Sequence, residues 1–173
     1  GLFEQAQIDV HYSGIGKVNA AFKAFEVIQA TGCKTLLNLG SAGSSHFDRH
    51  ALVEVTSFVQ RDMDVSPLGF EVGVTPMDQD HPGAIDLEPY FSHLPKGVCG
   101  TGDSFEVGQP KVPCNLVDME GYAMAKVCKK LGVRLISVKY ITDGADDSAH
   151  LDWEENLMLG AKKLLSLYQS ITT

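Results

Sequence analysis

The chain has 173 residues, 44% of them apolar and 21% charged, with a formal net charge of −8. That balance excludes a disordered chain, and the scattered Lys and Arg exclude the basic face that binding to a phosphate backbone needs. No uncharged run approaches the roughly 18 residues that span a bilayer, and Cys33, Cys99, Cys114 and Cys128 form no CxxC pair.

Residues 8–12 alternate apolar and polar and predict a strand, which runs into the turn Ser13-Gly14-Ile15-Gly16. From 18 to 31 the apolar residues Val18, Ala21, Phe22, Phe25 and Ile28 repeat at helical spacing, and Gly32 is placed to stop the helix. Residues 35–39 predict a buried parallel strand, followed by a small-residue loop from Gly40 to Ser45. Residues 52–59 predict another strand. The stretch 61–97, rich in Pro, Gly, Asp and His, reads as mostly irregular. Residues 97–101 form a short strand leading to Gly102-Asp103-Ser104-Phe105. Residues 120–131 predict a helix with Ala123, Met124, Val127 and Leu131 on its apolar face and Gly132 as its cap. Residues 133–141 are the most strand-like of the chain and end in Thr142-Asp143-Gly144. Residues 153–171 predict an amphipathic C-terminal helix. This alternation predicts an α/β fold with a mainly parallel central sheet, in one domain.

Several segments could carry chemistry. Ser13-Gly14-Ile15-Gly16-Lys17 lacks the upstream glycine and the final hydroxyl of a phosphate loop, and Asn19 stands where GxGxxG needs its third glycine. It reads as a strand-to-helix turn whose backbone N–H groups can still meet a polar ligand edge. Gly40-Ser41-Ala42-Gly43 follows a strand, where α/β proteins bind ligands, and is equally readable as a plain tight loop. Asp118 suits a helix N-terminus. Glu120 is harder to explain that way, because Ala123, Met124 and Val127 turn its helix face inward. An inward carboxylate needs donors, and a diol supplies two. Asp143 ends the most hydrophobic strand; an Asp after a strand is usually a cap or turn residue, but at the carboxyl end of a buried strand it is a better catalytic candidate than most. The six histidines show no ligand spacing, His46 and His50 read as surface residues, and no metal site or cofactor is expected.

Five segments occur in order: residues 13–21, residues 38–43, Gly102-Asp103-Ser104-Phe105, Val117-Asp118-Met119-Glu120-Gly121 and Ile141-Thr142-Asp143-Gly144-Ala145-Asp146. Together they resemble the methylthioadenosine/S-adenosylhomocysteine nucleosidases, within the purine nucleoside phosphorylase superfamily. The resemblance implies a three-layer α/β/α domain over residues 1–173. It implies hydrolysis of the N-glycosidic bond of an adenine nucleoside, in methionine salvage, by a homodimer; the cysteines, in no CxxC pair, fit a reduced cytoplasmic compartment. Asp143 would donate a proton toward purine N7. Glu120 would bind the ribose hydroxyls, with Met119 beside the sugar. Phe105 would stack on the base and the Glu106 backbone would bond its edge. Ser41, Ala42 and Gly43 would border the water and ribose, and Trp153 would line the pocket for the 5′-substituent. Ile15, Asp118 and Thr142 complete the implied substrate-binding set. The neighbouring subunit would contact the region 62–70, whose Met63, Val65, Leu68 and Phe70 suit an interface.

The chain also departs from that pattern. The family's first strand carries a Glu that activates the attacking water, and this sequence opens on Gly1 after that point. Lys139 stands where the nucleosidases usually have Arg, and Gly144 where a larger apolar residue is common. The stretches 78–97 and 107–116 are short. Two alternatives remain: a phosphorylase of the same superfamily, and a nucleoside-binding protein without turnover. Phosphorylases place an Arg just before the Gly-Ser segment to hold phosphate; here Asn38 carries no charge.

Overall fold

The computed structural model of the protein describes residues 1–106, 108, 110–143 and 149–172, and only the backbone of 143, 149–155, 157 and 172. In chain order the elements are α1 (Leu2–Gln5), α2 (Lys17–Thr31), β1 (Thr35–Gly43), β2 (Leu52–Gln60), β3 (Ile85–Asp86), β4 (Lys96–Thr101), β5 (Leu116–Asp118), α3 (Gly121–Leu131), β6 (Arg134–Asp143) and α4 (Ala149–Thr172). A single 3-10 turn at Ser66–Leu68 interrupts the long irregular stretch after β2.

The strands form one mixed sheet in the order β3-β2-β4-β5-β1-β6, and β2 also pairs with β6, so the sheet curls back on itself. The β1–β6, β2–β4 and β4–β5 ladders are parallel; β1–β5, β2–β3 and β2–β6 are antiparallel. Successive side chains of β6 go to opposite faces, as a period of two requires. Leu135 and Ile141 join α2 and α3 in one core, around Val53, Val55 and Phe58. Ile136, Val138 and Tyr140 join Leu164 and Leu167 of α4 in the other. Each fully buried aliphatic or aromatic side chain contributes about 1.5–3 kcal/mol. Helices thus cover both faces, giving the three layers expected. Among the described residues no helix is long and apolar enough to cross a membrane.

The predicted helices and the strands β2, β4 and β6 stand where their patterns place them, and α2 and α3 end at Gly32 and Gly132 in the left-handed conformation. Three expectations are corrected. Residues 8–12 form no strand, because they have no ladder partner. Ile8 and Val10 are nonetheless half-buried and Asp9, His11 and Tyr12 exposed, so the alternation survives without the pairing. Gly40 to Gly43 are not a loop: they continue β1, held by parallel pairing from Gly40↔Lys139 to Ala42↔Ile141. The register shifts between Ala42 and Gly43, which pairs with Asp143, a bulge at the strand's end. Helix α2 buries Ala20, Ala24 and Ile28, while Val18, Phe22 and Phe25 remain 80%, 68% and 48% exposed. Small residues face α3 and the core, and the large apolar ones face out.

β1 pairs with β6 along its length and with β5 only at Gly43↔Val117. Its other edge, and the 8–13 segment, line a mainly apolar groove of about 830 Å³ together with Val27, Leu36, Leu37 and Leu39.

Candidate active site

The ends of β1, β4, β5 and β6 and the start of α2 meet through long-range bonds. Glu120 is the N-cap residue of α3 and half-buried. Its Oε1 accepts the backbone N–H of Gly16 at 3.0 Å, which ties the Gly14–Gly16 turn to the sheet. Its Oε2 has no hydrogen-bond partner among the described residues. One carboxylate oxygen is thus fixed by the fold and the other is unengaged among the described residues. Gly121 lets α3 approach closely: a Cβ there would lie 2.1 Å from Phe58 and 2.7 Å from Asp118 Oδ2.

Beneath Glu120 lies an ion pair sealed from solvent. Lys139 Nζ is 2.7 Å from Asp118 Oδ2, with the two side chains 2% and 1% exposed. Asp118 also accepts from Thr101 Oγ1 at 2.5 Å and from the Gly121 N–H at 2.9 Å. Burial opposes the charge on Lys139, but the Asp118 carboxylate outweighs it, with Glu120 adding to the effect, and the ammonium is held above the ordinary lysine range. Asp118 was expected among the substrate contacts. Both its oxygens are engaged inside the protein, so its part is to support Glu120 and Gly121 from below. The sequence signal for this pair was Lys139 itself, a cation in the middle of the most hydrophobic strand, where only a buried partner can hold it.

The Phe105 loop is braced from the other side. Lys17 N–H donates to Asp103 Oδ1 at 2.7 Å, and Lys17 Nζ reaches Asp62 Oδ1 at 2.7 Å. Asp62 Oδ2 in turn accepts the Asp103 N–H at 2.8 Å. Its carboxyl is partly desolvated, yet the bonds from Lys17 and Asp103 hold it below the ordinary value of 3.8. Phe105 itself is 56% exposed, an open ring on a fixed loop. Sequence reasoning missed Arg61 and Asp62 because nothing local in 61–62 announces a partner some forty residues away.

The remaining expected residues distribute as follows. Met119 is half-buried beside Glu120, and Ile15 is 66% exposed on the Gly14–Gly16 turn. Ser41 and Thr142 both line the apolar groove, and Thr142 Oγ1 donates to the Ala42 carbonyl at 3.3 Å. Ala42 is buried; Gly43 borders a second cavity of about 430 Å³, lined also by Ser44, His46 and Asn115. The side chains of Asp143 and Trp153 lie outside the described residues; the backbone of Asp143 ends β6 beside Gly43. His50, expected as a plain surface residue, is half-buried and its Nδ1 lies 2.7 Å from the Tyr140 hydroxyl. Among the described residues no cluster of His, Cys, Asp or Glu could hold a metal.

A curled mixed sheet with helices on both faces, and a half-free carboxylate where its strand ends converge, defines an α/β protein of nucleoside phosphorylase type. The family model for the Phosphorylase superfamily matches residues 2–172, and the chain belongs to that family. It is 30% identical to an aminodeoxyfutalosine nucleosidase of Helicobacter pylori, over 91% of this chain and 76% of that one. It is 28% identical to a 5′-methylthioadenosine/S-adenosylhomocysteine nucleosidase of Haemophilus ducreyi, over 94% of this chain and 78% of the relative. The crystal structure of the Helicobacter pylori 5′-methylthioadenosine/S-adenosylhomocysteine nucleosidase with butyl-thio-DADMe-Immucillin-A superposes with a TM-score of 0.81 at 27% identity, covering 92% of this chain and 78% of that one.

Proposed function

We propose that this chain hydrolyses the N-glycosidic bond of a purine nucleoside, an adenine nucleoside of the methylthioadenosine or S-adenosylhomocysteine type, and releases the base. The observation that carries this reading is Glu120, with Oε1 pinned by Gly16 and Oε2 without a hydrogen-bond partner among the described residues. Cleavage of a glycosidic bond passes through an oxocarbenium-like state. A carboxylate on the ribose hydroxyls also sits near that developing positive charge and stabilises it. Asp143, at the end of β6, supplies the proton that turns the purine into a better leaving group. Phe105 stacks on the base, and the backbone of residues 105–106 reads its edge. Met119 packs against the sugar; Ser41, Ala42 and Gly43 border the nucleophile; Ile15, Thr142 and Trp153 complete the pocket. The 173 residues act as one domain, in the cytoplasm and in methionine salvage.

Water rather than phosphate is the proposed nucleophile. Asn38 is buried and donates to Ser137 Oγ at 3.1 Å, so this position offers phosphate no cation. Lys17, Arg61 and Lys139 each already carry a carboxylate partner.

A homodimer is proposed as well. Ile15, Val18, Phe22, Phe25, Leu68 and Phe70 are all exposed, apolar side chains that a second subunit would cover. Sedimentation should show a dimer that Phe22→Glu splits; a wild-type monomer at micromolar concentration would contradict it.

The test of function is an adenine-release assay with methylthioadenosine, S-adenosylhomocysteine, aminodeoxyfutalosine, adenosine and inosine. Turnover of one of the first three is expected. Tight binding of a nucleoside with no release would make the chain a binding protein instead.

A further inference from the structure

Arg61 follows β2 directly, and its side chain is 3% exposed. Its guanidinium is spent on one target. Nη1 donates to Ser104 Oγ at 3.0 Å and to Glu106 Oε2 at 2.6 Å. Nη2 donates to the Gly102 carbonyl at 3.2 Å and to the Ser104 carbonyl. The remaining nitrogen, Nε, is buried without a partner among the described residues. Among the described residues, every bond from this buried cation therefore goes to residues 102, 104 and 106, on both sides of Phe105. The planar fork explains the choice of Arg, since a lysine ammonium could not span backbone, hydroxyl and carboxylate at fixed angles.

The same contacts decide what the loop can offer a ligand. Glu106 gives its carboxylate to Arg61, which leaves the backbone groups of residues 105–106 to read a base. Gly102 belongs to the arrangement too: a Cβ there would stand 2.8 Å from Arg61 Cζ and 2.9 Å from Nη1.

We infer that Arg61 is the positioning residue of the base-recognition loop, setting Phe105 and the 105–106 backbone for the purine while taking no part in ribose binding. The inference rests on the proposed function in that Phe105 faces the base. Ordering one loop segment before binding is worth up to about tenfold in affinity.

The experiment compares wild type with Arg61→Met, Arg61→Lys and Gly102→Ala. Amide hydrogen exchange of residues 102–106 is measured, together with calorimetric affinities for adenine and for 5-methylthioribose. Gly102→Ala leaves Arg61 intact but displaces its guanidinium, so it tests the contact even where Arg61→Met fails to fold. Faster exchange in 102–106 and about tenfold weaker adenine binding, with methylthioribose binding unchanged, are expected. Arg61→Lys should stay impaired, because charge without the fork does not restore the bonds. Unchanged exchange, unchanged adenine affinity, or equal loss for both ligands would overturn the inference. A wild type that binds neither ligand would refute the nucleosidase reading instead, and the exchange data would still decide whether Arg61 orders the loop.

Discussion

At its C-terminal end β1 enters a region cross-braced by polar bonds; along the free edge of the same strand it faces an apolar groove. In the first region Glu120, Asp118, Lys139, Asp62, Asp103, Lys17 and Arg61 join elements far apart in sequence. In the second, Val27, Leu36, Leu37 and Leu39 line about 830 Å³ of open volume with few polar partners. Polar networks fix geometry because each member has few permitted positions. Apolar surface is non-directional and tolerates varied neighbours. The contrast teaches where function requires fixed atoms: Glu120 and Phe105 sit within the braced region, and the groove meets the proposed pocket at Ser41 and Thr142.

The largest expected effect is on the chemistry at the braced end. Asp143→Asn keeps the shape and a donor but cannot transfer a proton, so kcat should fall about 10²–10⁴-fold while substrate still binds. Steady-state kinetics on folded protein, with Tm checked, would reject the assignment if kcat stayed near normal.

Next comes the buried pair beneath the site. Lys139→Met leaves the Asp118 carboxylate buried and unpaired, a loss of about 3–5 kcal/mol in a urea titration. Replacing both partners, as Lys139→Met with Asp118→Asn, should recover much of that stability without restoring Glu120's setting. A single variant as stable as wild type would show that solvent reaches this pair.

The half-exposed latch at Asp62 matters less. Its side chain is 26% exposed, so Asp62→Asn should cost no more than about 1 kcal/mol at neutral pH. Its folded pKa lies below 3.8, so its stabilising contribution is present above that value and lost as pH falls through the folded pKa. The difference in Tm between wild type and variant should therefore persist from pH 7 to pH 5 and close in more acidic buffer. A difference that grew on acidification would have the wrong sign.

The smallest effect on activity belongs to the groove. An apolar fluorescent dye should bind native protein there, and Val27→Glu should abolish most of that signal while base release continues. Loss of activity in step with the dye would join two regions that the comparison separates.

Much of this architecture is legible in local patterns. The repeats in 18–31, 52–59 and 133–141, with glycines at 32 and 132, sufficed because each segment carries its own period and stop signal. β5 is three residues long and exists only because β4 and β1 pair with it, so no local pattern marks it. The small residues 40–43 looked like a loop, since nothing local reveals β6 alongside. The exposed face of α2 misled for a related reason: periodicity finds a stripe but does not say that alanines take the side packed on α3. In the site, the inward setting of Glu120 was readable from Ala123, Met124 and Val127. The braces were less so: Arg61 and Glu106 lie 45 positions apart, and Lys139 in an apolar strand announces a buried partner without saying that it is Asp118.

The central claim is that water, not phosphate, attacks the sugar. It is tested most directly by incubating the enzyme with methylthioadenosine in phosphate-free, ¹⁸O-enriched water and analysing the sugar product by mass spectrometry. Adenine release with one ¹⁸O in the freed methylthioribose, unchanged when phosphate is added, is expected. Release only in the presence of phosphate, with a sugar 1-phosphate as product, would contradict it.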